Sequence, residues 1–276
     1  MNGLLNAADY LRFPQQAGDF RYAYGARPLQ FAELSLPATA PPHPVIALIH
    51  GGCYREIFDL RPLSTLVREL VGMGYAVWNI EYRRHGCDGG FPNMFLDAAA
   101  AVDFLRQIAR EHEIDLGRVI SLGHSAGGHL ALWLAGRRRI PVDNLLYRTD
   151  PVPIPAALAL APLCDIASAW QRGACGEALL EVMGGSPADA PANYRAGSPA
   201  QLLPLGARQL LLVGEHDNDI LSEAQEYTQA AVAHGDPARL LVLPGAGHFE
   251  IVDVRSAAWR VVRGALQQFA AGGAMR

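Results

Sequence analysis

Short apolar runs alternate with amphipathic helical patterns along most of the chain. Each run is bounded by Gly, Pro or Asp, a spacing typical of buried parallel strands. The predicted strands are residues 45–49, 76–80, 119–122, 156–160, 210–213 and 240–243. Apolar residues at helical spacing predict crossover helices at residues 63–71, 98–109, 130–134 and 258–269. Ser222 and Gln225 predict a capping box, which would start a further helix that ends near His234.

Two more segments precede these strands. Residues 20–24 and 29–36 predict an antiparallel hairpin at the edge of the sheet, followed by a Pro-rich linker at residues 37–44. Strands that alternate with helices place those helices on both faces of the sheet. The pattern therefore predicts an α/β fold with a mostly parallel, doubly wound sheet flanked by helices, in a single domain over residues 1–276.

A long interval interrupts this alternation. Almost fifty residues, rich in Gly, Pro and Ala, separate the strands predicted at residues 156–160 and 210–213, which are the sixth and seventh when the two hairpin strands are counted. This interval includes a short helical patch at residues 175–183. Loops at the carboxyl end of a parallel sheet shape the substrate site. We interpret residues 163–205 as a lid-like insertion that covers this site, and an ordinary surface excursion is the alternative.

Composition narrows the function classes. The net charge of −4 and the scattered arginines offer no basic surface for nucleic acid. No apolar run reaches the roughly 18 residues of a membrane span, and residues 1–12 lack a signal-peptide pattern, so we expect a cytoplasmic protein without a membrane partner. The four cysteines show no CxxC spacing. In a reducing compartment, such cysteines predict neither disulfides nor a zinc site.

The segment GHSAG carries the chemistry. It runs from a strand pattern into a helix pattern, which is the context that a nucleophile elbow requires. Ser125 is the candidate nucleophile, exposed on a sharp turn. Gly123 and Gly127 flank it, where larger side chains would collide with the neighbouring strand and helix.

A serine nucleophile needs a base, and the base needs an orienting carboxylate. Asp217 follows one predicted strand and His248 follows the next, so both emerge at the sheet edge that carries Ser125. Asp165 is a rival for the acid, since it also follows a strand. His216 and His234 are weaker candidates for the base because neither follows a strand, and Asp219 is expected to be a solvated loop residue.

The tetrahedral oxyanion needs donors as well. HGGCY follows the strand at residues 45–49, where the loop can turn backbone N–H groups inward. We assign the N–H groups of Gly52, Cys53 and Ala126 to the oxyanion hole. No base is placed beside the Cys53 thiol, so we interpret it as a small loop residue rather than a nucleophile.

Several of these motifs together resemble a known family. HGGCY resembles an HGGxW oxyanion loop, GHSAGGH a nucleophile elbow, GEHD an acid turn and GAGH a histidine turn. The chain resembles the α/β-hydrolase superfamily, in its single-domain esterase branch that includes kynurenine formamidase-like proteins. Tyr54 stands where that branch usually has tryptophan. GHSAGG in place of GDSAGG makes the chain resemble the hormone-sensitive-lipase-like branch less.

The sequence leads to one main hypothesis, a serine hydrolase that cleaves small carboxylic esters through an acyl-serine intermediate without metal or cofactor. Arylformamidase activity on N-formylkynurenine is the nearest alternative. A non-catalytic ligand-binding protein on the same scaffold is the alternative from another class. The partner is then a small-molecule ester or amide, and a homodimer stays open. Tyr54, Trp170 and Phe249 are candidate pocket residues, against the commoner role of aromatic side chains in core packing.

Overall fold

The computed structural model describes residues 3–270, so Met1, Asn2 and residues 271–276 of the expected domain lie outside the described residues. Within that range, eight strands form one sheet, in the spatial order β1-β2-β4-β3-β5-β6-β7-β8. The strands are β1 Phe20–Ala23, β2 Phe31–Ser35, β3 His43–Ile49, β4 Ala76–Ile80, β5 Ile114–His124, β6 Ala156–Leu160, β7 Arg208–Gly214 and β8 Ala238–Leu243. The predicted hairpin and the six predicted strands are confirmed, and Pro44 lies inside β3 rather than in a linker.

Strands β3 to β8 run parallel, whereas β1 pairs antiparallel with β2 and β2 pairs antiparallel with β4. Parallel strands need crossover connections, and the helices supply them. The helices are α1 Ala7–Tyr10, α2 Ser64–Gly72, α3 Asn93–Asp103, α4 Leu105–Ile108, α5 Ala126–Gly136, α6 Ile166–Gln171, α7 Glu177–Met183, α8 Pro191–Gly197, α9 Asn218–Ala233 and α10 Ala257–Ala270.

The capping box predicted at Ser222 is wrong. Helix α9 begins one turn earlier, and the Leu221 N–H already donates to the Asp217 carbonyl at 2.8 Å. The turn after β7 is short, so the helix starts as soon as the strand ends. The pattern at residues 98–109 also divides, at Phe104, into α3 and α4.

The central strands are buried on both faces, as their uninterrupted apolar sequences require. Val45, Ala47 and Ile49 of β3 pack in one cluster with α3, α5 and α9, whereas Ile46 and Leu48 pack in another with α2 and α10. This alternation follows from the two-residue period of a strand. The described residues therefore form the doubly wound α/β architecture expected from the sequence.

The insertion between β6 and β7 folds into three short helices, α6 to α8. It contributes Ile166, Leu179 and Tyr194 to the first of these clusters, so it is packed on the body of the protein. Its role as a lid stays a prediction. The carboxylate of Glu223 on α9 holds the start of the insertion, where it accepts hydrogen bonds from the N–H groups of Cys164 at 2.5 Å and Asp165 at 2.6 Å. Burial raises the pKa of Glu223 despite these donors.

The turn between β5 and α5 depends on backbone contacts that leave no room for a side chain. A Cβ atom at Gly123 would lie 2.0 Å from the Gly127 carbonyl oxygen, and a Cβ atom at Gly127 would lie 2.1 Å from that of Ile49. Both neighbours are backbone atoms within the sheet and its connections, so neither can move aside cheaply. The lack of space expected from the sequence at these two glycines is thus present.

We expect Gly127→Ala to lower the free energy of unfolding by about 3 kcal/mol or more, or to prevent folding, because the added methyl group meets fixed backbone. Gly264→Ala on α10 is the matched control, since a Cβ atom there meets nothing within 4 Å. That control should be neutral or stabilising by up to about 1 kcal/mol. Urea unfolding of the variants measures both effects, and equal stability of the two variants would contradict the steric argument.

Candidate active site

Ser125 lies at the turn between β5 and α5 in a backbone conformation that few non-glycine residues adopt. Its φ is 56° and its ψ is −121°. The Ser125 N–H donates to the Leu160 carbonyl at 2.8 Å, which ties the turn to the end of β6. Strain of this kind persists only where surrounding structure fixes it, and it is the conformation of a nucleophile elbow. The side chain is thereby held at the carboxyl edge of the sheet.

Asp217 and His248 come together at the same edge. Asp217 follows β7 and His248 follows β8, and the His248 Nδ1 lies 2.6 Å from the Asp217 Oδ2. A carboxylate can only accept, so Nδ1–H donates and Nε2 is the nitrogen left to accept a proton. Asp217 also stands at the start of α9, yet its side chain makes no capping hydrogen bond. Its carboxylate is therefore directed to the histidine.

The rival carboxylate has another role. The Asp165 Oδ1 accepts hydrogen bonds from the N–H groups of Ala167 at 2.9 Å and Ser168 at 3.2 Å, so it caps α6. His216 is exposed on the turn before α9, and His234 is exposed at the end of that helix. Among residues 3–270, the only histidine hydrogen-bonded to Asp217 is His248.

His124, the residue before Ser125, links the elbow to the histidine turn. Its Nε2–H donates to the His248 carbonyl oxygen at 2.9 Å, and the two imidazole centroids lie 4.7 Å apart. Burial and the nearby His248 lower the pKa of His124 to about 3, so the ring is neutral. The hydrogen bonds of residues 3–270 include none between Ser125 Oγ and His248, a contact that often closes only when substrate is bound. This role of His124 does not follow from the sequence, because GxSxG places no requirement on the position before the serine.

The loop after β3 lies directly against the elbow. A Cβ atom at Gly51 would lie 2.9 Å from the Ser125 Cβ and 2.5 Å from the His124 carbonyl oxygen. The backbone N–H groups of Gly52 and Cys53 donate to no partner within residues 3–270, and the Ala126 N–H is at the first position of α5, where no helical acceptor exists. Three unpaired donors thus belong to segments that meet at Ser125.

Buried charged groups hold this loop. His50 Nδ1 donates to the Gly51 carbonyl at 2.8 Å, and His50 Nε2 lies 3.1 Å from a Glu81 carboxylate oxygen, which also pairs with Arg84. Because a trans peptide points its C=O and N–H in opposite directions, fixing the Gly51 oxygen also fixes the Gly52 N–H. Burial alone would raise the pKa of Glu81, but His50, Arg84 and the Tyr82 N–H lower it below its ordinary value.

Comparison with known proteins adds the family. The BD-FAE family model matches residues 33–229, well over half of the chain. The chain belongs to the BD-FAE family. The matched range includes the loop after β3, the elbow and Asp217, whereas His248 lies beyond it.

Individual proteins that resemble this BD-FAE member share less than a third of its residues over the matched ranges. Esterase LipI of Mycobacterium tuberculosis is 27% identical over 220 residues, which are 74% of this chain and 65% of LipI. The chain spans 22% to 65% of the length of the curated relatives that it matches. Esterase B from Lactobacillus rhamnosis has a TM-score of 0.77 at 20% identity, over 94% of this chain and 89% of that structure. A truncated carbohydrate esterase from gut microbiota has a TM-score of 0.77 at 17% identity, over 94% and 100%. These structures share the α/β-hydrolase fold.

In this BD-FAE member, Tyr54 is buried in full, so its side chain lines no open pocket, contrary to the sequence expectation. Its hydroxyl lies 2.9 Å from His129 Nδ1, and His129 Nε2 lies 2.7 Å from the Gly197 carbonyl oxygen. A carbonyl only accepts, so Nε2 carries the proton and the Tyr54 hydroxyl donates to Nδ1. The tyrosine therefore connects the loop after β3 to α5 and to the insertion.

The other two aromatic candidates differ in exposure. Trp170 on α6 is 38% exposed, and nothing in the described contacts brings it to Ser125. Phe249 is half-buried, with ring centroids 5.0 Å from His248 and 5.7 Å from His124. Phe249 thus packs beside the histidine turn. Tyr10 of α1 packs on Phe249 at 5.4 Å, a neighbour that the sequence analysis missed.

The expectation that disulfides are absent is wrong for one pair. Cys53 is bonded to Cys175, whose Cα lies 5.0 Å away, while Cys87 and Cys164 are free. No local spacing could reveal a bond across 122 residues, and Cys175 lies in the insertion, whose fold the sequence did not specify. Disulfides persist in oxidising compartments, so this pair removes one reason for expecting a cytoplasmic protein.

Two further observations concern metals and membranes. Residues 3–270 hold no cluster of three or more His, Cys, Asp or Glu side chains suited to a metal ion. In the same range, no helix has both the length and the apolar character needed to span a bilayer.

Acid should destabilise this BD-FAE member partly through His129. Burial lowers the pKa of His129 to about 4, whereas the unfolded value is about 6.5. The unfolded chain therefore binds an extra proton between pH 6.5 and 4, and stability is lost as pH falls through that window. His129→Gln cannot take up this proton. Between pH 7 and pH 4, we therefore expect its free energy of unfolding to fall by up to about 3 kcal/mol less than that of wild type.

Chemical unfolding at several pH values measures this difference. His234→Gln, at an exposed position, is the control and should keep the wild-type pH dependence. Parallel stability curves for wild type and His129→Gln would contradict the assignment of a buried neutral imidazole.

Proposed function

We propose that this protein is a serine hydrolase that cleaves small carboxylic esters through an acyl-Ser125 intermediate. The observation that carries the proposal is the hydrogen bond between Asp217 and His248, formed at the sheet edge where Ser125 stands on a strained turn. Ester hydrolysis needs a nucleophile, a base with the correct tautomer and donors for the oxyanion. Candidates for all three lie within this edge.

In the proposed acylation, the His248 Nε2 takes the Ser125 hydroxyl proton as Oγ attacks the ester carbonyl carbon. Asp217 stabilises the imidazolium that forms and keeps Nδ1 protonated. The carbonyl oxygen becomes an oxyanion and accepts hydrogen bonds from the N–H groups of Gly52, Cys53 and Ala126. His248 then protonates the leaving alkoxide, and the alcohol departs from the acyl-enzyme.

Deacylation repeats these steps with water. His248 removes a proton from the water molecule as it attacks the acyl carbon, the oxyanion is stabilised by the same donors, and the proton returns to Ser125 Oγ as the acid leaves. No group other than protein side chains and backbone is required. His124 supports the cycle from outside the reaction by holding the His248 carbonyl.

An esterase relative and the site geometry favour ester cleavage over a non-catalytic binding role. LipI, 27% identical over most of this chain, is named an esterase, which supports an ester substrate here. A non-catalytic binding protein would not need the Asp217–His248 pair or a strained serine, because neither improves ligand affinity. The formamide alternative uses the same residues and is separated only by assay. A homodimer and a cytoplasmic location both stay predictions.

We expect Ser125→Ala to lower the turnover of p-nitrophenyl acetate at least about 10³-fold, because no other group supplies the nucleophile. A fluorophosphonate probe should label wild type at Ser125, as identified by peptide mass spectrometry. Ser121→Ala on β5 is the matched control, and it should keep both labelling and turnover. Full activity of Ser125→Ala would overturn the mechanism, and faster turnover of N-formylkynurenine than of acetate esters would favour the formamidase alternative.

We expect replacement by asparagine to have different effects on turnover at Asp217 and at Asp165. Asp217→Asn should lower kcat by about 10⁴-fold, since the amide favours the wrong imidazole tautomer. Asp165→Asn should keep kcat within about threefold, because asparagine also caps helices well. Steady-state kinetics on one ester compares them directly, and a larger loss in Asp165→Asn would reverse the assignment of the acid.

A further inference from the structure

The loop after β3 carries its candidate donors in an unfavourable backbone conformation. Cys53 has a φ of 51° and Tyr54 a φ of 57°, and neither is a glycine. Left-handed conformations cost residues with a side chain of order 1 to 3 kcal/mol each, so they persist only where contacts hold them. The position of the Cys53 N–H, one of the proposed oxyanion donors, depends on these contacts.

Hydrogen bonds hold the residues on either side of Cys53. The Gly52 carbonyl accepts from the Arg55 N–H at 3.0 Å, and the Tyr54 carbonyl accepts from the His85 N–H at 2.8 Å. Tyr54 is fixed further by its hydroxyl contact to His129. In contrast, the Cys53 N–H donates to no partner within residues 3–270. The disulfide is the restraint that acts on Cys53 through its own side chain.

The other half of the disulfide belongs to a different part of the fold. Cys175 lies just before α7 in the insertion between β6 and β7, and its own φ of 62° is also left-handed. The insertion is anchored in turn by the buried core contacts of Leu179 on α7 and by Glu223. The bond therefore connects a strained loop at the reaction centre to a segment that has core contacts of its own.

We propose that Cys175 is a positioning residue for hydrolysis: through its bond to Cys53 it holds the Cys53 N–H toward the oxyanion, and reduction of this bond switches the enzyme to a slow state. The proposal rests on the ester hydrolase function proposed above. Cys175 contacts no reacting atom and acts only through Cys53. An oxyanion donor acts mainly on the charge that develops in the transition state, so the effect falls on kcat rather than on KM.

The switch needs a reductant, which is a dithiol. One dithiol thiolate attacks a disulfide sulfur and releases the other cysteine as a thiolate; its second thiolate then attacks the mixed disulfide. The protein gains two electrons and two protons, and the dithiol becomes a cyclic disulfide. Cys53 and Cys175 are both partly exposed, so a small dithiol can reach the bond.

Kinetics of the oxidised and dithiothreitol-treated protein test the proposal. We expect reduction to lower kcat for p-nitrophenyl acetate about 10- to 100-fold, with KM changed by less than about threefold, and reoxidation to restore kcat. Cys175→Ser should resemble the reduced protein and respond no further to dithiothreitol. Cys87→Ser, which removes a thiol outside the bond, should keep the full wild-type response.

Alkylation and mass spectrometry establish the state of the bond in each sample. An unchanged kcat in protein shown to be reduced overturns the proposal, including when the melting temperature falls, since the bond would then be structural only. Failure to find the Cys53–Cys175 link in the oxidised protein also overturns it. A fall in kcat that is matched by an equal fall in the folded fraction, measured by circular dichroism, reports unfolding and overturns it as well.

A measurement that needs no turnover tests the role of the disulfide separately from the proposed ester hydrolysis. In Ser125→Ala protein, hydrogen–deuterium exchange of the peptide spanning residues 50–56 reports the loop itself. We expect reduction to speed exchange in this peptide and to leave β5 and β6 unchanged. If wild type cleaves no ester, faster exchange still supports the restraint of the loop by the disulfide, whereas unchanged exchange overturns it.

Discussion

The close approach of two backbone segments, the elbow after β5 and the loop after β3, is the constraint on which the site depends. A Cβ atom at Gly127 would lie 2.1 Å from the Ile49 carbonyl oxygen, and one at Gly51 would lie 2.9 Å from the Ser125 Cβ. This contact places the serine beside the candidate oxyanion donors. It also explains why both segments need glycine, since their atoms occupy positions that a Cβ atom would take.

Buried polar groups convert this contact into a defined geometry. His50, Glu81 and Arg84 fix the peptide after β3, while His124 holds the histidine turn and His129 holds Tyr54. Buried groups of this kind are costly unless each finds a partner, so the same arrangement that orients them also stabilises the fold. Two of the three imidazoles, His124 and His129, have a pKa far below the ordinary value, which keeps them neutral and each limited to one donor.

Local patterns predicted most of the scaffold, and long-range contacts account for what was missed. Strands such as β6 are short, apolar and bounded by turn residues, so their positions follow from sequence. The placement of Ser125, Asp217 and His248 after three strands, β5, β7 and β8, follows from the rule that parallel strands end at one edge. The Cys53–Cys175 bond and the burial of Tyr54 depend on the insertion, whose path no local pattern specifies. The early start of α9 depends on a tight turn after β7, whereas Ser222 and Gln225 match a capping-box pattern that predicts a later start.

The disulfide also acts on the chain before it folds. It closes a loop of 122 residues that contains β4, the whole of β5, Ser125 and β6. Closing a loop of that length removes unfolded-state entropy worth about 5 kcal/mol at 25 °C in the chain-entropy account. Strands β4, β5 and β6 would then fold within a tethered ring, while β1 to β3 join from the amino-terminal tail and β7 and β8, with their carboxylate and histidine, join from the carboxyl-terminal tail. The nucleophile and its base thus belong to topologically different parts of one chain.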